Sequence, residues 1–458
     1  MVTTVQFLGG ARTVTGSKFL VRADEFAVLV DAGLFQGLKA LRRRNWEPFS
    51  PAPASLDAVV VTHAHLDHSG YLPALRRQGL GCPVYATPST IALATLVLRD
   101  SAALQEEDAA YAAKGGWSRH KSPQPLYDTG DVESLLPLLH PVAFSTPTAL
   151  DGHAEVSLHP AGHILGSAVV ELRVDGRTLV VSGDLGRSTH PLLAPPAPRP
   201  AADVVLVEST YGNRSHAENP DDQLADVLRR CLGRGGVAVI PAFAVDRTEV
   251  VLMTLRRLME QGRVPQVPVF ADSPMALGAL SVYREAIARG SADVRARLSG
   301  LDGTFDPGDL REVREARDSM AINDPGRPCI IVSASGMASG GRVVHHLKHL
   351  LPDPRNAVVL VGFQAVGTRG RSLADGASQI KMHGRYVPVR AEVVQVDGFS
   401  VHADSDELLT WLASGPDEPE VVYVVHGEPE ASQKLADRVH DELGWMAVVP
   451  DHDEIVRL

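Results

Sequence analysis

The sequence predicts an α/β fold or a layered version of one, and three observations lead there. Short unbroken runs of Val, Ile, Leu and Ala recur along the chain, usually closed by a glycine-rich or polar turn. Between many of them lie segments with an apolar period of about 3.6 residues, the mark of helices packed on one side. Hydrophobic residues make up 44% of the 458 and charged residues 22%, which is globular composition and excludes a disordered tail, a collagen-like chain and a coiled coil.

The length predicts two to three domains. The first ten residues read as a short strand, without the basic start and long apolar core of a secretion signal. No run of about 18 apolar residues exists to cross a membrane. Further strands are expected at 58–62, 178–182, 203–207, 237–241, 329–333, 357–362, 392–396 and 421–425. They are apolar at consecutive positions rather than alternate ones, which suits strands covered on both faces. Helices are expected at 223–232, 248–261 and 341–351, and the Pro/Ala-rich stretch 191–200 reads as loop.

The part from about Tyr211 to Pro388 carries its own strand–helix alternation and reads as a separate Rossmann-like unit. Charge agrees with a boundary. Residues 211–389 hold 23 Lys+Arg and 19 Asp+Glu, a net of +4, whereas the whole chain carries −11. The remainder is therefore at −15. Overall acidity taken alone argues against a nucleic-acid partner, but a mildly basic insert leaves room for one in a narrow groove. Only three cysteines occur, far apart and without metal spacing, as expected of a reduced cytoplasmic protein.

The strongest local signal is Thr62-His63-Ala64-His65-Leu66-Asp67-His68, three histidines and an aspartate just after an apolar run. On extended backbone His63 and His65 point to one side, so they can hold one ion together. Asp67 and His68 follow at the turn, where they can serve a second. Other strand ends offer His163 in Gly162-His163-Ile164, Asp184 in Gly183-Asp184-Leu185 and His426 in Val425-His426-Gly427. Imidazole and carboxylate suit Zn²⁺ and tolerate Mn²⁺ or Fe²⁺. Two ions about 3.5–4 Å apart can hold a bridging hydroxide and clamp an in-line displacement at phosphorus. Small residues Ser335 and Gly336, ahead of Gly340-Gly341 and a helix, make a candidate phosphate-binding turn. Arg247, Arg369 and Arg371 are candidate phosphate contacts.

The H-x-H-x-D-H run, with Val30-Asp31-Ala32-Gly33, Ala161-Gly162-His163 and Gly183-Asp184, resembles the metallo-β-lactamase superfamily. The resemblance is closer to its β-CASP branch of RNA-processing nucleases. That branch's further motifs match Glu208 in Val207-Glu208-Ser209-Thr210, His402 in Ser400-Val401-His402-Ala403, and His426. Segments 241–247, 333–337 and 362–371 of the insert are family-like as well. Val401 departs from the small residue commoner there.

The resemblance implies a four-layer αββα metal domain, residues 1–209 and 390–458, interrupted by a β-CASP domain at 210–389. It implies hydrolysis of single-stranded RNA, endonucleolytically or 5′ to 3′, in the cleft between the domains. His63, His65 and His163 would bind one zinc and Asp67, His68 and His426 the other, with Asp184 bridging. Asp31 would orient ligand imidazoles. His402 would serve as general acid or phosphate contact, with Glu208 fixing its tautomer. The resemblance also allows a homodimer. The chain looks most like the compact bacterial relatives of the polyadenylation endonuclease, with no added RNA-binding segment at either end. Two other readings compete. An ester or thioester hydrolase of the same superfamily would need neither the insert of about 180 residues nor the Glu208/His402 pair. An inactive scaffold would be marked by lost ligands, and all seven candidates are present.

Overall fold

The computed structural model describes residues 3–24, 26–115, 122–150, 152, 154–216, 220–362, 364–365, 367–396 and 398–458. The chain divides into two compact units, Met1–Ser215 with His402–Leu458, and His216–Val401. These divisions fall beyond residues 209 and 389. Strand Glu392–Gln395 pairs in parallel with Ala357–Leu360 and so belongs to the sheet of the second unit.

The first unit holds two seven-stranded sheets. One runs, in spatial order, Ile455–Arg457, Thr4–Gly9, Lys18–Ala23, Phe26–Val30, Ala58–Val60, Val84–Ala86 and Leu139–Pro141. The other runs Ala447–Val448, Val421–Val425, Val204–Glu208, Arg177–Val181, Ala168–Val174, Ala154–Pro160 and Thr148–Ala149. Each sheet takes strands from both ends of the chain. Val5, Phe7, Val28 and Val60 of one meet Val156, Val170, Val181 and Leu206 of the other in a shared core. The opposite faces are covered too. Leu29, Val59 and Val84 pack with Leu72, Leu75 and Leu98 from helices, while Val180, Val205 and Val424 pack with Leu408, Leu412 and Leu435. The layers are therefore helix, sheet, sheet, helix, which is why these strands lack alternation.

Helix Pro88–Gly115 was not foreseen from the sequence. Its apolar residues include Leu93, Leu98 and Ala102 in the core but also exposed Leu104 and Tyr111, so no single apolar stripe stands out.

The second unit is built on a six-stranded, wholly parallel sheet in the order Leu310–Glu312, Val269–Ala271, Cys329–Ser333, Val237–Pro241, Ala357–Leu360, Glu392–Gln395. Helix Pro220–Gly233 leads into strand Val237–Pro241, and helices Arg247–Glu260, Pro274–Arg289 and Arg342–Leu350 connect its strands. This matches the expected strand–helix alternation to within a few residues at each end. A hairpin, Gln379–Met382 with Arg385–Pro388, adds Ile380, Met382 and Val387 to the core on one face.

Candidate metal centre

Candidate ligands gather where strands of the first unit end. His63 and His65 follow Ala58–Val60, with His65 at the N-cap of a four-residue helix, Leu66–Ser69, that carries Asp67 and His68. His163 follows Ala154–Pro160, Asp184 follows Arg177–Val181, and His426 follows Val421–Val425. The loops approach so closely that side chains are excluded between them. A Cβ on Gly186 would lie 1.8 Å from the Gly162 carbonyl oxygen, and one on Gly183, whose φ is +56°, would lie 2.8 Å from Thr62 Cβ. His426 itself holds φ +48°, a conformation that bulky residues adopt only under constraint. Its N–H donates to Gly10 O at 2.6 Å, and Ser209 N–H donates to its carbonyl at 3.3 Å.

The side chains converge in two groups. In one, His63 Nε2 and His163 Nε2 lie 3.1 and 3.3 Å from His65 Nδ1. In the other, His426 Nε2 lies 3.2 Å from His68 Nε2 and 3.7 Å from Asp67 Oδ2. Asp184 stands between them. Its Oδ2 is 3.5 Å from His63 Nε2 and 3.6 Å from His163 Nε2, and its Oδ1 is 3.2 Å from both His68 Nε2 and His426 Nδ1.

Beneath these groups, fully buried Asp31 accepts from Thr62 N–H at 2.8 Å, from Thr62 Oγ1–H at 3.0 Å and from His68 Nδ1–H at 2.7 Å. A carboxylate only accepts, so His68 Nδ1 carries a proton and Nε2 is the nitrogen that faces the cluster. Glu208, also fully buried, accepts from Leu185 N–H at 2.7 Å and Thr210 N–H at 3.2 Å, and its Oε1 is 3.3 Å from His402 Nδ1. His402 lies against the cluster, its ring 4.4 Å from that of His163 and its Nδ1 3.9 Å from Asp184 Oδ2.

The electrostatics sort these groups. Burial, reinforced by the imidazoles beside them, holds His63 and His163 well below the usual histidine range. They are neutral, the form that binds a metal. Burial also lowers His65. At His68 burial works against the charge, but the Asp184 and Asp31 carboxylates outweigh it and hold the pKa well above the usual range. Burial would raise Asp67 and Asp184. At Asp67 the hydrogen bond from His426 prevails, at Asp184 the charges of His426 and His68, so both stay ionised. The carboxylates thus require positive charge at this spot, and a metal ion would supply it in place of a proton. The donor set fits zinc. Buried Asp184 Oδ1 has no hydrogen-bond partner although two imidazole nitrogens lie beside it. Ligand atoms of His63, His65, His163 and Asp184, and of Asp67, His68 and His426, fall within 4.8 Å of one another.

The expected phosphate contacts belong to the second unit and are largely engaged within it. Arg247 is buried, and its guanidinium donates to the Val361 carbonyl, so it is no surface contact. It opens helix Arg247–Glu260, whose residues 247–252 are all buried. Arg369 donates to the carbonyls of Lys381, Ala338 and Ser339, and Arg371 pairs with Asp375 at 2.9 Å. Ser335 Oγ accepts from Ser339 N–H at 3.2 Å. Gly336 lies so close to Phe243 that a Cβ would be 2.9 Å from its nitrogen. Phe363 and Val366 of the family-like segment lie outside the described residues.

Sequence reasoning assigned no role to Thr62, whose Oγ1 lies 3.1 Å from His63 Nδ1 and 3.3 Å from His68 Nδ1. It missed that of Tyr211 also, whose ring stacks on His402 at 6.0 Å. Thr62 stands inside a quoted motif and Tyr211 directly follows one, and that adjacency was the available signal.

Fold and site together define a metal-dependent hydrolase. Three family models match the chain: the metallo-beta-lactamase superfamily over residues 13–210, the Beta-Casp domain over 248–373, and the Zn-dependent metallo-hydrolase RNA specificity domain over 386–450. Ribonuclease TTHA0252 of Thermus thermophilus is 40% identical over 424 residues, covering 92% of each chain. The transcription termination factor FttA of Pyrococcus abyssi is 33% identical over 98% of this chain and 70% of its own. A crystal structure of a protein of unknown function from Enterococcus faecalis shares the fold, with a TM-score of 0.56 at 14% identity over the full length of both chains. The chain belongs to the β-CASP branch of the metallo-β-lactamase superfamily, the branch of RNA nucleases.

Proposed function

We propose that this chain is a ribonuclease with two zinc ions, one held by His63, His65 and His163, the other by Asp67, His68 and His426, and both touched by Asp184. The observation that carries this reading is the division of Asp184, one oxygen toward each histidine group. Manganese suits the same donors. When bound, paired ions lower the pKa of water to about 7 and clamp both sides of an in-line displacement.

The rest falls to the chain's own side chains. Asp31 and Thr62 fix the imidazoles. His402, 19% exposed on its side chain, contacts the scissile phosphate or hands a proton to the leaving oxygen. Glu208, pinned by two backbone N–H groups, holds the proton on His402 Nδ1 and leaves Nε2 for that work. RNA as substrate is supported by the matched RNA specificity domain and by the ribonuclease at 40% identity. Among the described residues no helix is long and apolar enough to cross a membrane, and the three cysteines are free, in keeping with a cytoplasmic setting.

The test uses zinc-loaded protein and end-labelled RNAs carrying 5′-monophosphate or 5′-triphosphate, with products sized over time and a panel of esters alongside. Immediate mononucleotides mark a 5′ exonuclease, and internal fragments an endonuclease. Turnover of an ester without cleavage of RNA would overturn the reading.

A further inference from the structure

The second unit holds a group of histidines far in sequence from the metal centre. Helix Arg342–Leu350 buries Val343, Val344, His346, Leu347 and Leu350, and so turns His345 and His349 outward. His346 is already engaged, 2.6 Å from Asp272 Oδ2 and 2.8 Å from Asn323 Oδ1. His345 and His349 are four residues apart, hence neighbours on one exposed face.

A third histidine comes from the hairpin. His383, with φ +45°, and Gly384, with φ +77°, form the two-residue turn between its strands. Met382 and Ile380 anchor that hairpin in the same core as Val343 and Leu347, which brings His383 over the helix. The His345 and His383 rings lie 4.5 Å apart, as near as His68 and His426 in the metal centre at 4.6 Å. The three histidines are exposed.

We propose that His345, His349 and His383 form a surface site for a divalent transition-metal ion, with the His345–His383 pair as its fixed part. His349 completes the set by rotation of an exposed side chain. Imidazole alone suits Zn²⁺, Ni²⁺ and Cu²⁺ and leaves Mg²⁺ and Ca²⁺ unbound. A bound ion would tie the helix to the hairpin and stabilise the unit by mass action.

The site is independent of the nuclease reading, and the experiment compares the full chain with itself. Metal-free protein is titrated with Ni²⁺ by calorimetry, for the wild type and for the double variant His345→Ala/His383→Asn. The expected result is one more Ni²⁺ per wild-type chain than per variant chain, with RNA cleavage equal in both. His349→Ala should weaken that extra site at least tenfold. Equal stoichiometry in wild type and double variant would overturn the proposal, whatever the occupancy of the metal centre. Because the substituted side chains are exposed, matching circular dichroism and thermal melts in metal-free buffer check that the variant is folded.

Discussion

Asp31 and His68 are joined by a 2.7 Å hydrogen bond across 37 residues of sequence, wholly inside the protein. The carboxylate fixes the imidazole tautomer and aims Nε2 at Asp184 and His426. Replacing Asp31 with Ala should therefore weaken metal binding by the Asp67/His68/His426 group about 10- to 100-fold and leave the other group closer to wild type. Stepwise zinc titration of metal-free protein measures this, and two sites weakened alike would count against it.

Asp184 serves both groups with separate oxygens. Asp184→Ala should lose at least one metal per chain and nearly all cleavage of RNA. Metal analysis after gel filtration, run beside the cleavage assay, checks both. Full activity in this variant would remove the two-metal reading.

His402 touches the cluster from its edge, 3.3 Å from Glu208. His402→Ala should keep its metals and lose turnover, roughly 10²- to 10⁴-fold if it transfers a proton. Glu208→Gln should act in the same direction and shift the pH profile. A fall in metal content in the His402 variant would instead make that histidine a ligand.

Lys18 is buried over the rings of Phe35 and Tyr71, with its ammonium donating to Gly33 O. Burial, and the charge of Arg44 after it, lower its pKa from 10.5 to about 7. Between those values the unfolded chain keeps a proton that the folded chain has released, so folding stability gains as pH rises. Below pH 7 both states are protonated and the cost of the buried charge is complete. Stability of the wild type relative to Lys18→Met should therefore rise from about pH 7 toward 10.5, by a few kcal/mol at roughly 1.4 kcal/mol per pKa unit. Urea melts of both proteins across that range test it; a constant difference would show that the amine does not titrate there.

Arg247 is buried in the second unit and holds the Val361 carbonyl. Arg247→Glu should destabilise the protein by about 3 kcal/mol or more, since it places an uncompensated charge inside. Denaturant unfolding reads this directly. A variant of wild-type stability but weaker RNA binding would restore the surface role that the sequence suggested.

The sequence by itself determined the layered α/β character, the separate central unit and the seven candidate ligands. Each of these is written locally. Continuous apolar runs follow from strands covered on both faces, and ligands follow where such runs end in glycine-bracketed turns. His63, His65, Asp67 and His68 could be read together because they lie within six residues of chain. Tertiary structure alone decided the rest. That Asp184 faces two groups, that Thr62 lies between two imidazoles and that Tyr211 stacks on His402 depend on loops meeting at the ends of different strands. The inward turn of Arg247 depends on the burial of the first turns of its helix. The outward turn of His345 depends on which helix face meets the core. An arginine or histidine carries the same letter on either face, and only packing decides whether it meets a carbonyl, a neighbour or the solvent.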